Sequence, residues 1–153
     1  MRTLLLTLVF FFGLCGLVFA GQGMRGMITL KSTYDVPTTA DRLINTLKAK
    51  GMKVFNRIDH AAGAKSIGQE LRPTELVIFG NPKVGTPLML CSQGAGIDLP
   101  QKALIWEDES GQVFFAYNDP KYMAKRHGLK GCDEVIAKVG KALGNFAKMA
   151  VGP

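Results

Sequence analysis

Apolar and polar positions alternate from Met27 to Tyr34, with Ile28, Leu30 and Tyr34 set among Thr29, Lys31 and Thr33, which predicts a half-buried strand. Pro37-Thr38-Thr39 ends it, and Thr38 with Asp41 resembles a capping box in which Asp replaces Glu. Ala40, Leu43, Ile44 and Leu47 then recur at helical spacing until Gly51, and Lys48 and Lys50 suit the negative end of that helix. Lys53 to Ile58 predicts a second strand. Asp59 can cap a short helix from His60, weakened by Gly63 and Gly68. Leu76-Val77-Ile78-Phe79 has no polar break, so Thr74 to Phe79 reads as a central strand covered on both faces, stopped by Gly80-Asn81-Pro82. Thr86-Pro87 reads as an N-cap and first helical position opening a short helix through Cys91.

Leu104 to Glu107 and Gln112 to Tyr117 predict a hairpin across Asp108-Glu109-Ser110-Gly111. Pro120 can start a helix toward Arg126. The clearest helix is the last, with Val135, Val139, Ala142, Leu143, Phe146 and Met149 on one stripe and Lys138, Lys141 and Lys148 on other faces. Two long amphipathic helices can cover one face of a five-stranded, mostly antiparallel sheet, which predicts a two-layer α+β domain. Phe79, Trp106, Phe114 and Phe115 offer more apolar surface than one face needs. A homodimer or a ligand groove on the other face is therefore expected.

The first 20 residues are set apart by composition. Arg2 precedes an apolar run from Leu4 to Phe19, and Val18-Phe19-Ala20 before Gly21 resembles a cleavage site, so residues 1–20 read as a cleaved signal peptide. The run is shorter than a spanning helix needs, which disfavours a retained anchor. Leu14 before Cys15 disfavours a lipoprotein signal. Residues 21–30 then form a lead-in and residues 31–150 a single domain, with no internal repeat. The formal net charge is +7, one less without Arg2, and the lysines are scattered rather than clustered with aromatics. They read as solvated helical faces, with attraction to an anionic membrane surface or acidic partner as the sharper alternative. Export and basic charge point to a Gram-negative periplasm, where nucleic acid is not an expected partner. Beyond the leader stand Cys91 and Cys132, which an oxidising compartment permits to bridge; the alternative is two buried thiols.

The middle of the chain carries a resemblance. Ile58-Asp59-His60-Ala61-Ala62 with Ala64, Leu71-Arg72-Pro73-Thr74, Phe79-Gly80-Asn81-Pro82-Lys83 with Gly85-Thr86-Pro87, Asp98-Leu99-Pro100, and Tyr117 with Pro120 resemble the domain of unknown function 302 family over about Lys31 to Ala150. The resemblance implies a β-α-β4-α arrangement similar to the TATA-box-binding-protein-like fold, usually paired as a dimer. It implies no reaction and leaves any cofactor unknown, and the fold label carries no DNA-binding role.

Gly80 to Thr86 has the glycine spacing of a phosphate loop, but Thr86 stands where the lysine belongs and Pro87 where Ser or Thr belongs. A turn shaped by Gly and Pro is the preferred reading. An anion site at Asn81, Lys83 and the helix start at Thr86 is the alternative. Asp59-His60, kept by the resemblance, offers the other candidate: a structural or dimer-forming residue, a ligand contact, or a base lacking an assigned partner among Ser66, Ser92, Cys91 and Cys132. His127 and Cys132 with His60, Cys91 and the methionines form a weak soft-metal set suited to copper(I), and Met52, Met89 and Met149 read as core. The favoured function is an exported binding or interaction module, a homodimer with a groove near His60 and Lys83. The alternatives are an enzyme using His60 and a periplasmic soft-metal or haem binder.

Overall fold

Residues 26–152 are described by the computed structural model, so the segment of residues 1–20 expected to be a signal peptide, and Cys15 within it, lie outside the described residues. The elements run β1 (Met27–Lys31), α1 (Val36–Ala49), β2 (Lys53–Asp59), α2 (His60–Ser66), β3 (Thr74–Gly80), α3 (Pro82–Cys91), a 3-10 helix (Gln93–Asp98), β4 (Gln101–Glu107), β5 (Val113–Asn118), α4 (Pro120–His127) and α5 (Asp133–Val151). The five strands form one sheet in the order β1-β5-β4-β3-β2, with every pairing antiparallel. The α+β two-layer expectation holds.

α1 and α5 pack together over one face of the sheet. The core between the layers includes Leu43 and Leu47 of α1, Val77 and Phe79 of β3, Ile105 of β4, Phe115 of β5 and Leu143 and Phe146 of α5. Phe79 and Phe146 meet edge to face with ring centroids 6.4 Å apart, a favoured aromatic geometry. Arg57 of β2 pairs with the buried Glu75 of β3 and with Asp41 of α1, which supplies that carboxylate with a cation beneath the helix.

Several local expectations shift. β1 ends at Lys31 instead of Tyr34, because the chain turns there. Ser32 Oγ and Thr39 Oγ1 lie 2.7 Å apart across that turn. The α1 cap is Asp35, which accepts the Thr38 N–H at 2.7 Å, and Pro37 falls in the first turn, where a missing N–H costs nothing. β3 lies beside the edge strand β2, and the middle strand is β4. Its Glu75, Val77 and Phe79 are buried, whereas Thr74, Leu76 and Ile78 on the opposite face are only half-buried. Strand side chains alternate between faces, and among the described residues no second layer of long helices covers the outer one.

The buried residues of α5 are Ile136, Val139, Leu143, Phe146, Ala147, Ala150 and Val151, while Met149 is exposed and Val135 and Ala142 are half-buried. The helix is turned by about one position from the predicted stripe, since its apolar arc is wide enough to allow either facing. Phe79 and Phe115 belong to the core, leaving Trp106 and Phe114 stacked on the outer face with centroids 5.4 Å apart. Gly26, before β1, has φ 79°, and a Cβ there would meet the Tyr122 ring at 2.5 Å. Glycine is required on both counts.

Candidate functional site

The candidate residues of the sequence fall at two ends of the β2–β3 pair. Asp59 is opposite Glu75 at one end, and Lys53 is opposite Gly80 at the other. The six-residue separation spans about 20 Å of strand. His60 and Lys83 therefore do not line one groove within a chain, which corrects that expectation.

Asp59 caps α2 by accepting the Ala62 N–H at 2.9 Å. His60 opens α2 on the surface, exposed. Ser66 lies six residues on, about 9 Å of helix rise away, and its hydroxyl donates to the Gly63 carbonyl. Cys91 and Ser92 stand beyond the other end of the pair, where α3 ends. The geometry thus gives His60 none of the nucleophile partners considered from sequence.

α3 begins at Pro82 and not at Thr86, and Pro87 lies inside it. Pro82 has no N–H, Asn81 Oδ1 accepts the Lys83 N–H at 2.9 Å, and the Asn81 carbonyl accepts those of Val84 and Gly85 at 2.9 and 3.0 Å. The donors that make helix starts attractive to anions are already occupied here. Asn81 Nδ2 also donates to the Gly51 carbonyl at 3.2 Å, fixing this turn to the end of α1. Lys83 is exposed, and Thr86 is exposed within α3.

The soft-metal set is dispersed as well. His127 Nε2 lies 2.5 Å from Asp98 Oδ2, and Arg126 Nη1 donates to Asp98 Oδ1 at 3.1 Å. Cys132 is bonded to Cys91, with their Cα atoms 6.5 Å apart, within the usual bridging range. No cluster of three or more His, Cys, Asp or Glu side chains suited to a metal occurs among the described residues. Met149, expected in the core, is exposed, and Met52 and Met89 are half-buried at the edge of a groove.

That groove is the most ligand-like feature of the domain. It lies where β2 and β4 begin and β3 ends, with α3 and the 3-10 helix forming its other wall. Its volume is about 330 Å³, inside the range of small-molecule pockets. Met52, Phe55, Leu88, Met89 and Leu99 give it apolar walls, and none of its described lining residues carries a charge. Gly85 of α3 faces Leu99 across the groove, and a Cβ there would meet Leu99 Cδ1 at 3.7 Å, an ordinary van der Waals contact.

Three polar side chains, Asn81, Thr86 and Gln101, interrupt the apolar lining, and Gln101 is the buried one. Gln101 is 6% exposed, and its Nε2 is buried with no hydrogen-bond partner. An unsatisfied buried donor costs about 1–3 kcal/mol. The sequence predicts this strand from Leu104, which leaves Gln101 ahead of it, whereas β4 begins at Gln101 itself. Its position two residues before Ala103 and four before Ile105, on the buried face of β4, was the available signal.

The groove's outer wall is tied down from behind. The Cys91–Cys132 bond joins the end of α3 to the start of α5. Asp98, at the end of the 3-10 helix, holds His127 and Arg126 at the end of α4. Lys102 Nζ donates to the carbonyls of Asp98 and Pro100 at 3.2 and 3.0 Å. These ties favour a preformed pocket over a loose flap.

A two-layer β-α-β4-α domain with an apolar groove defines a class known by its fold. The chain matches the family model "Domain of unknown function DUF302" over residues 28–146, and it belongs to that family. A crystal structure of an uncharacterized conserved DUF302 protein from Bacillus stearothermophilus has the same fold, with a TM-score of 0.74 and 17% identity over 83% of this chain and 99% of that one. Two curated relatives, each named "Fluoride-specific ion channel FluC 1", come from Brucella suis and Brucella abortus. They are 45% identical over 128 residues, 83% of this chain. The chain spans about half the length of these relatives, 50% and 47% respectively. No helix among the described residues is long and apolar enough to cross a membrane.

Proposed function

We propose that the chain is an exported binding module, not an enzyme, and that its ligand site is the groove at the Gly80 end of the sheet. The observation that carries this reading is an apolar cleft of about 330 Å³ with a single buried, unpartnered polar group, Gln101, in its lining. Small-molecule sites have this character, with much apolar wall and a few placed polar atoms. The exposed, unpaired setting of His60 favours binding over catalysis.

Export to the periplasm rests on the apolar leader of residues 1–20, and the Cys91–Cys132 pairing suits an oxidising compartment. Self-association rests on the outer sheet face. Ile58, Leu76, Leu104 and Ala116 align across four strands there, beside the stacked Trp106 and Phe114. A second copy of the chain is the partner we assign to it. The channel activity in the relatives' name is not transferred, because this chain matches only about half of each.

Native mass spectrometry of protein purified from the periplasm tests the groove. A small molecule should accompany the wild type and be absent from Gly85→Leu, whose side chain fills the cleft, with the circular dichroism spectrum unchanged. Turnover on an ester, phosphate or peptide panel that His60→Ala abolishes would establish the enzyme reading instead. Stoichiometric copper, zinc or haem in the purified protein would establish the metal reading.

A further inference from the structure

The groove's own chemistry narrows what can occupy it, on the binding reading just given. Gln101 Nε2 is a donor group, enclosed and without an acceptor, in a cleft whose other described lining residues bring apolar walls, the Asn81 amide already used on Gly51, and Thr86 exposed in α3. A donor in that position is completed by an oxygen that accepts. The charge of that oxygen is constrained too. None of the described lining residues is cationic; of the lysines beside them in sequence, Lys83 is exposed in the first turn of α3, Lys102 donates to the Asp98 and Pro100 carbonyls, and Lys53 is exposed with its Nζ 5.2 Å from the Phe55 ring centroid. One amide donor does not compensate the desolvation of a carboxylate or phosphate, so an anion would remain in water. The body of the ligand is set by the walls. Phe55 is 47% exposed at the groove, and Met52 and Met89, which also line it, are half-buried. Such a surface suits a flat apolar ring, with ring and sulfur contacts to share.

From this we infer that the groove takes a small, neutral aromatic or similarly flat apolar compound bearing one carbonyl-type acceptor, which the Gln101 side-chain amide binds. The site is built before the ligand arrives, because the disulfide and the Asp98 ties hold α3 and the 3-10 helix in place. Affinity should therefore track the match to Gln101 and the walls more than any folding on binding.

Three probes of nearly equal size separate the contributions: acetophenone, ethylbenzene and benzoate. Each is titrated into isotope-labelled full chain, read by NMR at the Gln101 side-chain amide and at the groove backbone. Acetophenone should shift the Gln101 amide and bind about three- to tenfold more tightly than ethylbenzene. In Gln101→Met, which keeps the shape and removes the donor, the ketone and the hydrocarbon should bind equally. Equal affinities in the wild type, or benzoate binding most tightly, would overturn the ligand class while leaving the groove as a binding site. Absence of groove shifts with all three would overturn both. If Gln101→Met fails to fold, the wild-type amide shift and the ketone-to-hydrocarbon ratio decide the matter alone.

Discussion

Asp98 Oδ2 and His127 Nε2 lie 2.5 Å apart, joining the end of the 3-10 helix to the end of α4. Both side chains are largely buried, at 13% and 10% exposure, while Arg126 on the other carboxylate oxygen is 53% exposed. The two contacts of one carboxylate therefore differ in worth. Asp98→Ala strips both contacts, the buried one included, and should cost about 1–3 kcal/mol of stability. Arg126→Ala should cost under about 1 kcal/mol, as exposed pairs do. Urea denaturation of the two variants checks the ranking, and equal losses would contradict it.

The Cys91–Cys132 bond closes a sequence separation of 41 residues. Cross-links of that kind stabilise by about 2–4 kcal/mol, chiefly by restricting the unfolded chain. The wild type should lose that amount in dithiothreitol, and Cys132→Ser should lose it without reductant and be insensitive to it. A wild type whose denaturation midpoint ignores the reductant would show that the bond is not formed.

Arg57 is held firmly protonated, first by its hydrogen bond to Glu75 and further by Asp41, against partial burial. Glu75 has 9% of its side chain exposed. Arg57→Met would leave that carboxylate uncompensated, so a loss of about 2–4 kcal/mol is expected. Arg57→Met with Glu75→Leu should recover most of the loss, because apolar packing replaces the pair without stranding a charge. A double variant no more stable than the single one would refute the account.

Acid should weaken the fold through surface caps and turns. The Thr38 side chain, then its N–H, hold the Asp35 carboxyl below its ordinary value of 3.8. The Ser110 side chain, with the N–H groups of Gln112 and Ser110, does the same for Asp108 against slight burial. A carboxyl lowered by folding contributes stability above its unfolded value, and that contribution is lost as pH falls through the folded value. Denaturation midpoints should fall from about pH 5 to about pH 3. Asp35→Asn with Asp108→Asn should flatten that decline, and an unchanged slope in the double variant would count against it.

Much of the architecture was legible before any coordinates. Period-two alternation marked β1, an unbroken apolar run marked β3, the Asp59 cap placed α2, and Gly within Asp108 to Gly111 marked the hairpin, since these signals are local. The errors fell where local chemistry allowed two answers. Both Asn81-Pro82 and Thr86-Pro87 can open a helix, and the structure uses the first because Asn81 also reaches the Gly51 carbonyl, a contact 30 residues away. The site was less legible for the same reason. His60 and Lys83 are 23 positions apart in sequence and seemed neighbours, but an antiparallel pair returns the chain to its start only after a full strand length.

By itself the sequence determined the α+β class, the order of elements and the family, because hydrophobic periodicity and turn residues act over a few positions. The tertiary structure alone decided what shares a surface. It separated His60 from Lys83, committed His127 to Asp98, and brought Gln101 into an apolar cleft with residues from β2, α3 and the 3-10 helix. Those encounters are set by strand register and by packing across the sheet, where distance in space no longer follows distance along the chain.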